Sequence, residues 1–224
     1  MTPPETIMLP LDLYDTASRD VRLDEGALVL GGMARSIDRA LLDALTVVER
    51  DAPFRHLLTP GGGLMSVAMT NCGAVGWVSD RSGYRYDPVD PESGKRWPAM
   101  PAVFTDLAAR AANAAGFREF APDVCLINRY EPGARLSLHQ DRDEHDLGHP
   151  IVSVSLGLPA IFLWGGQQRV DRPRRVPLTH GDVVVWGGPA RMTFHGVRAL
   201  AEGHHPLTGS IRYNLTFRRA LPRG

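Results

Sequence analysis

Short β-strands separated by Gly and Pro turns fill the second half of the sequence, and this pattern constrains the fold more than any other feature. Eight runs of four to eight residues are apolar or alternate between apolar and polar residues, which is typical of strands. Turn pairs such as Pro132-Gly133, Gly165-Gly166 and His180-Gly181 stand between them. The predicted strands are 123–130, 136–139, 151–157, 160–164, 175–178, 183–186, 192–195 and 211–217.

Two helices are predicted ahead of these strands. The first begins after Ser36, which can cap its N-terminus, and ends at Pro53. The second runs from Pro101 to Gly116, with Pro in its first turn, an Ala-rich interior and Gly at its end. Two helices followed by about eight strands predict an α+β fold, and eight strands is also the count of a double-sheet jelly roll. Further predicted segments are strands at 27–31 and 64–71 and a long loop or irregular hairpin at 77–97.

Composition narrows the class of function. The 224 residues carry 25 basic and 25 acidic side chains, whereas a sequence-independent polyanion binder is usually basic. Any nucleic-acid contact must therefore come from a local patch. The two cysteines, Cys72 and Cys125, are too few for a disulfide framework or a zinc finger. Both lie in apolar, strand-like runs, so we expect buried free thiols in a reducing compartment. Without a signal peptide or membrane span, we expect a cytoplasmic, monomeric, single-domain protein with a loose arm at about 1–20.

A His-x-Asp pair marks the end of the predicted strand at 136–139. Side chains two residues apart on a strand point to the same side, so His139 and Asp141 can aim an imidazole and a carboxylate at one point. They make up two thirds of a 2-His-1-carboxylate triad, the ligand set of non-heme Fe(II) oxygenases. Such a tripeptide also arises by chance in an exposed polar turn. A third ligand is therefore needed to distinguish a metal site from such a turn.

The third ligand should be a histidine on a late strand, and His195 meets this requirement at the end of the predicted strand 192–195. For His195 alone, a half-buried core histidine is the alternative. His180 stands in a His-Gly-Asp turn, where capping its own backbone is favoured. The remaining histidines lie near the first helix or in polar loops: His56, His145, His149, His204 and His205.

The last predicted strand carries an unusual polar face. Alternation places four polar side chains on one side of it: Arg212, Asn214, Thr216 and Arg218. Two inward-facing arginines are costly unless an anion meets them, and a dicarboxylate such as 2-oxoglutarate satisfies both through charge-assisted bonds. If the other face of the strand is the buried one, the arginines are simply solvated. The iron-ligand pattern upstream favours the inward arrangement.

Longer segments resemble the AlkB family of Fe(II)/2-oxoglutarate dioxygenases, and closely its bacterial AlkB type. The resemblance covers about residues 50–219 and, more loosely, the first helix, whereas the first 20 residues carry no match. The matching segments are 59–62, 65–73, 97–101, 126–130, 136–141, 151–162, 180–188 and 212–218.

This resemblance implies one domain over residues 1–224, with a double-stranded β-helix (jelly roll) catalytic core at about 120–219, N-terminal helices, and a nucleotide-recognition lid at about 50–100. It implies oxidative dealkylation of nucleobases such as 1-methyladenine and 3-methylcytosine in DNA, with RNA as an open second substrate. The implied cofactors are Fe(II), 2-oxoglutarate and O2, and the products are formaldehyde and succinate.

The resemblance also assigns residues. Iron would be held by His139, Asp141 and His195. The two carboxylates of 2-oxoglutarate would meet Arg212 and Arg218, helped by Asn128, Tyr130 and Asn214. Substrate contacts would be Trp77, Tyr84, Tyr86, Asp143, Arg169, Met69 and Thr59. Arg142 is a departure, because the family carries Lys there; it keeps the charge, and we expect it to contact phosphate.

A base that is flipped out of a duplex needs a stacking platform. The rings of Trp77 and His139 would cover its two faces, and cation–π attraction would favour a methylated, charged base. Ordinary packing is the alternative for Trp77 and Tyr84. A basic run after the Gly165-Gly166 turn is either a solvated edge strand or a ridge that contacts phosphates; it consists of Arg169, Arg172, Arg174 and Arg175.

Two other functions stay open at the level of sequence. The same iron site could serve a hydroxylase of a protein or a small molecule, which would lack a steep dependence of substrate binding on salt. A non-catalytic metal-binding module of the cupin kind would not need the arginines of the last strand, and it would not couple succinate release to oxygen uptake.

Overall fold

A computed structural model describes residues 20–222, so the predicted loose arm lies almost entirely outside the described residues. In chain order, the described elements are β1 (Val21–Asp24), β2 (Ala27–Leu30), α1 (Asp38–Asp51), β3 (Arg55–Leu58), β4 (Leu64–Gly73), β5 (Gly76–Asp80), β6 (Gly83–Asp87), α2 (Ala102–Ala114), β7 (Val124–Tyr130), β8 (Leu136–His139), β9 (Ile151–Gly157), β10 (Ala160–Trp164), β11 (Arg174–Leu178), β12 (Val183–Trp186), β13 (His195–Val197) and β14 (Arg212–Arg218). None of the helices in this part of the chain is both long and apolar enough to cross a membrane.

Two antiparallel sheets build the core. The large sheet has eight strands in the order β1-β2-β12-β9-β14-β7-β4-β3, and the small sheet has four in the order β11-β10-β13-β8. One cluster of buried side chains, which includes Met69 and Tyr130 of the large sheet and Phe162 and Trp164 of the small one, fills the space between them. This is the mostly antiparallel, jelly-roll-like arrangement of a double-stranded β-helix.

The two helices cover the outer face of the large sheet. Leu41 and Leu45 of α1 and Phe104 of α2 are buried at helical spacing against strand residues such as Phe217. Phe104 and Phe217 meet edge to face with ring centroids 5.9 Å apart. Since the helices bury this outer face, the inner face of β14 is left to line the space between the sheets.

Seven of the eight strands predicted for the second half are confirmed to within one residue at each end. The eighth prediction, 192–195, is wrong: β13 begins at His195, because a 3-10 turn at Gly188–Ala190 and the Thr193 N–H bond to the Ala190 carbonyl hold the chain in turns up to that point. The predicted N-cap at Ser36 is also wrong. A 3-10 turn at Arg35–Ile37 precedes α1, and no side chain caps the helix.

The region before α2 contains more strand than predicted. β1 and β3, each four residues long, were not expected, because so short a run carries too little alternation to stand out. Of the loop or irregular hairpin predicted at 77–97, the hairpin is confirmed: β5 and β6 pair with each other over 76–87, outside both main sheets. The hairpin is therefore a separate layer beside the core.

Candidate metal and cosubstrate site

Three metal-binding side chains converge between the small and large sheets. His139 ends β8 and His195 begins β13, and the two residues are cross-strand partners. Asp141 lies two residues beyond β8, with Oδ1 3.6 Å from His139 Nε2 and Oδ2 3.8 Å from His195 Nε2. The ligand atoms all lie within 4.8 Å of one another, and this is the one such group of His, Cys, Asp or Glu among residues 20–222.

Backbone carbonyls fix the orientation of both imidazoles. His139 Nδ1 lies 2.8 Å from the Ser137 carbonyl, and His195 Nδ1 lies 3.0 Å from the Thr193 carbonyl. Each Nδ1 therefore carries the proton and donates it, which leaves each Nε2 lone pair free for a metal. The ring geometry and the protonation state both suit the ligand set of a facial triad.

Charge and burial keep Asp141 and His195 in the forms that bind a cation. Burial alone would raise the pKa of Asp141, but the Arg218 guanidinium and the two imidazoles hold it below its usual range. Arg218 donates to Asp141 Oδ2 from Nε at 3.0 Å and from Nη2 at 2.7 Å. Burial and the neighbouring His139 imidazole lower the pKa of His195 to about 4, so this ring is neutral near pH 7.

A cavity of about 780 Å³ connects the triad with the polar face of β14. All four alternating polar residues of this strand line it, so the predicted inward orientation is confirmed; they are Arg212, Asn214, Thr216 and Arg218. Asn214 donates to Ser153 Oγ at 2.8 Å and accepts from Thr216 Oγ1 at 2.9 Å. The middle of this face is thus held rigidly by the sheet itself.

The two arginines have hydrogen-bonding capacity that no described residue uses. Arg212 is 1% exposed; its Nη2 donates to Ser155 Oγ at 3.0 Å, and its Cζ lies 4.9 Å from the Tyr130 ring centroid. Among the described residues, no partner is found for the buried atoms Arg212 Nε, Arg212 Nη1, Arg218 Nη1 and Asn128 Oδ1. Arg218 is paired with Asp141, whereas no acid among the described residues pairs with Arg212. A buried unpaired cation costs several kcal/mol, roughly, so this pocket fits an anion that carries carboxylates.

The mouth of the cavity collects most of the residues that the resemblance assigns to the substrate. Six of the seven line it: Thr59, Met69, Trp77, Tyr84, Asp143 and Arg169. Trp77 stacks on Tyr84 with ring centroids 5.4 Å apart, and its Nε1 donates to Asp143 Oδ2 at 2.9 Å. Tyr86 is not among the lining residues; its hydroxyl donates to Glu144 Oε1 at 2.6 Å.

The basic run after the Gly165-Gly166 turn leads into the edge of the small sheet. Arg174 and Arg175 lie on the edge strand β11, where Arg174 pairs with Asp24 at 3.0 Å. Arg169 donates to the Leu138 carbonyl at 2.7 Å, beside the metal ligands. Only Arg169 of this run lines the cavity, so the rest of the run is an exposed edge.

Outside the triad, the predicted role of one histidine is wrong. His180 Nδ1 accepts the N–H of Gly157 at 2.9 Å, and its Nε2 lies 3.0 Å from Asp38 Oδ2. The ring therefore ties the turn after β11 to β9 and α1 instead of capping its own backbone.

Three further residues of the site were missed by the sequence analysis. Trp186 lines the cavity and packs edge-on against His195 with ring centroids 4.9 Å apart. Glu144 and Arg191, 7% and 3% exposed, form a buried ion pair at 2.9 Å behind Asp141. The acidic run around Glu144 is typical of a solvated loop, so no sequence signal distinguishes it.

Comparisons with known proteins agree with this geometry. Residues 22–218 match the sequence profile of the 2OG-Fe(II) oxygenase superfamily. The chain is 56% identical over 211 residues to the alpha-ketoglutarate-dependent dioxygenase AlkB of Escherichia coli K12, covering 94% of this chain and 98% of that protein. It is 39% identical over 147 residues, 54% of its length and 33% of the relative's, to the DNA N(6)-methyladenine demethylase ALKBH1D of Arabidopsis thaliana.

A solved structure extends the likeness to the fold. The structure of OsALKBH1 superimposes with a TM-score of 0.78 at 29% identity, and the match covers 90% of this chain and 100% of the other. Iron, 2-oxoglutarate and dioxygen are the reactants that such an oxygenase requires, and the triad and the arginine-lined cavity fit the first two. The chain belongs to the AlkB family of 2OG-Fe(II) dioxygenases.

Proposed function

We propose that the protein repairs alkylated nucleobases, 1-methyladenine and 3-methylcytosine among them, in DNA by oxidative dealkylation. RNA is the second polymer to be tested. The observation that carries the proposal is a His-Asp-His triad sharing one cavity with two buried, incompletely paired arginines and an aromatic mouth. A nucleobase suits such a mouth, because every base presents a flat face for stacking.

We assign the triad to Fe(II). His139, Asp141 and His195 would hold the metal as a 2-His-1-carboxylate set, which leaves coordination positions open for substrates. Arg218 orients the carboxylate of this set through its two bonds to Asp141. The remaining Arg218 donor and the unpaired Arg212 donors would take the two carboxylates of 2-oxoglutarate.

Three other residues complete the cosubstrate pocket. Tyr130 is fully buried and lies against the Arg212 guanidinium, which it keeps aimed into the cavity. Asn128 presents an unpaired carbonyl oxygen, and Asn214 keeps the adjacent part of β14 in place. Bound Fe(II) and 2-oxoglutarate supply the oxidation: O2 converts 2-oxoglutarate to succinate and CO2 and the N-methyl group to a hydroxymethyl, which leaves as formaldehyde.

The chain then has to seat the base and exclude water. Trp77 and Tyr84 form a stacked aromatic pair that lines the cavity, and the His139 ring lines the same cavity. A methylated base that carries positive charge gains cation–π attraction from the aromatic faces and Coulombic attraction from Asp143. Met69, Thr59 and Arg169 line the same cavity, and the exposed Arg169 guanidinium suits a phosphate.

The proposed lid is narrower than the sequence suggested. Of the range 50–100, β3 and β4 are strands of the large sheet, whereas the β5–β6 hairpin stands beside it. We therefore assign recognition of the nucleotide to this hairpin and to the turn at Thr59, within a single catalytic domain.

Aerobic incubation with iron, 2-oxoglutarate and methylated oligonucleotides tests the proposal. We expect formaldehyde and succinate in equal amounts, together with restored adenine and cytosine. Unmethylated oligonucleotides serve as the control. If none of the methylated DNA and RNA substrates is restored while 2-oxoglutarate is still consumed with a protein or small molecule, the hydroxylase alternative replaces this function.

A further inference from the structure

Two hydrogen bonds fasten the β5–β6 hairpin to the loop that follows Asp141. Trp77 and Tyr86 are directly opposite each other in the hairpin. Trp77 Nε1 donates to Asp143 Oδ2 at 2.9 Å, and the Tyr86 hydroxyl donates to Glu144 Oε1 at 2.6 Å. The two acceptors are consecutive residues in the chain. Two side chains that face each other across the hairpin are therefore held by two adjacent acids.

The second of these acids lies at the centre of a buried charge network. The side chain of Glu144 is 1% exposed, with Oε2 2.9 Å from Arg191 Nη2 and Oε1 3.4 Å from Arg218 Nε. Both arginines also hold Asp141. Arg218 donates to its carboxylate at 2.7 Å and 3.0 Å, and Arg191 Nη1 donates to its backbone carbonyl at 2.6 Å. Two buried acids therefore balance two buried bases, as buried charges require.

We propose that Glu144 is a positioning residue that sets the metal ligand Asp141 through Arg218 and Arg191, and sets the substrate-binding hairpin through Tyr86. Glu144 is neither a member of the metal triad nor one of the residues that line the cavity. It acts by fixing the two arginines on one side and the Tyr86 hydroxyl on the other. Tyr86 is thereby assigned to the hairpin's anchorage and not to substrate contact. The inference on the hairpin rests on the proposed function, whereas the inference on Asp141 does not.

The network has two arms. The metal arm runs from Glu144 through Arg191 and Arg218 to Asp141, and the hairpin arm runs from Glu144 to Tyr86. Single substitutions separate them. Glu144→Gln removes the charge that balances Arg191 and Arg218, so Arg218 is left to pull more strongly on the Asp141 carboxylate that should face the metal. Partners outside the ligand set typically change metal affinity by about 10- to 100-fold, so we expect a loss of about 10-fold or more. Tyr86→Phe removes one hydroxyl from the hairpin arm and leaves every bond of Glu144 to the arginines in place.

The experiment measures both arms on the full chain. Co(II) is titrated against its visible absorbance in the presence of 2-oxoglutarate and without oligonucleotide, and KM and kcat are measured with a methylated oligonucleotide. We expect Glu144→Gln to weaken Co(II) binding by about 10-fold or more. We expect Tyr86→Phe to keep Co(II) affinity within about twofold and to raise the oligonucleotide KM by about threefold or more, as for one lost hydrogen bond. Glu49→Gln and Tyr213→Phe, which remove a charge and a hydroxyl elsewhere, are the matched controls.

Each arm can be overturned separately. A folded Glu144→Gln variant with wild-type Co(II) affinity refutes the metal arm; if that variant does not fold, Arg191→Lys takes its place, and wild-type affinity there has the same meaning. An unchanged oligonucleotide KM for Tyr86→Phe refutes the hairpin arm. If the wild type demethylates no oligonucleotide, both the proposed function and the inference on the hairpin are refuted. The Co(II) titration still tests the inference on Asp141.

Discussion

His139 and His195 face each other across the β8–β13 pair with their ring centroids 4.4 Å apart. The separation of two of the three metal-binding side chains is therefore set by the register of two hydrogen-bonded strands and not by a loop. A slip of one residue would turn one imidazole to the opposite face of the sheet. The arrangement of these two histidines therefore persists only while β8 and β13 remain paired in this register.

Replacing Asp141 with Ala should abolish turnover, because the substitution removes the single anionic ligand of the triad. Among residues 20–222, it also leaves Glu144 as the one close acid of Arg218, so we expect the free energy of unfolding to fall by about 3 kcal/mol. Formaldehyde and succinate release measure the first effect and urea unfolding the second. An Asp141→Ala variant that still releases both products would show that the iron assignment is wrong.

Replacing Arg212 with Met should weaken the binding of 2-oxoglutarate without lowering the stability of the fold. Loss of a partner from a buried charge pair costs about 2–5 kcal/mol, so the dissociation constant of 2-oxoglutarate should rise by about 30-fold or more. The free energy of unfolding without ligand should not fall, because Nε and Nη1 of this buried cation have no partner among the described residues. Calorimetric titration and urea unfolding measure the two quantities. The exposed Arg50→Met is the control, and equal affinity in both variants would contradict the assignment.

Replacing Trp77 with Ala should raise the KM for a methylated oligonucleotide. Stacking of a base on an aromatic ring is worth about 1–3 kcal/mol, which predicts an increase of about 5- to 150-fold with kcat little changed. Trp77→Phe keeps a ring but loses the N–H bond to Asp143, so its KM should lie between those of the wild type and Trp77→Ala. Steady-state kinetics at fixed 2-oxoglutarate distinguish these cases. A KM equal to that of the wild type in Trp77→Ala would rule out the stacking platform.

Replacing Arg142 with Ala should change the response to salt. Arg142 is exposed at the cavity mouth, where we expect it to contact a phosphate of the bound strand. Loss of one phosphate contact reduces the slope of log affinity against log salt by about 1. Oligonucleotide binding between low and moderate salt gives this slope. Arg110→Ala, on the outer helix α2, should leave it unchanged; equal slopes in both variants would remove Arg142 from the interface.

Sequence patterns were sufficient where a side chain alternates along a regular strand. The four polar residues of β14 follow a period of two, and the same spacing holds for His139 and Asp141 although the strand itself ends at His139; the structure places all of them on the cavity. His195 was found for a different reason, since the strand assigned to it was misplaced by three residues. Its position late in the chain, after the other ligands, was the useful signal.

Patterns failed where the environment of a residue depends on distant parts of the chain. Glu144 and Tyr86 are 58 residues apart, and the acidic loop containing Glu144 is typical of solvated surface by composition. Its burial follows from two arginines that reach it from β14 and from the turn before β13. No local period records such a network, so only the folded arrangement reveals it.

The position of β14 in the large sheet has a consequence for biosynthesis. The strand lies between β9 and β7, although both precede it in the chain, and it bonds to each along most of its length. A nascent chain that has not yet released residues 212–218 from the ribosome therefore has a split sheet and lacks the two arginines that we assign to the cosubstrate. The cavity beside the triad is therefore completed only when this last strand inserts between two strands that were synthesised before it.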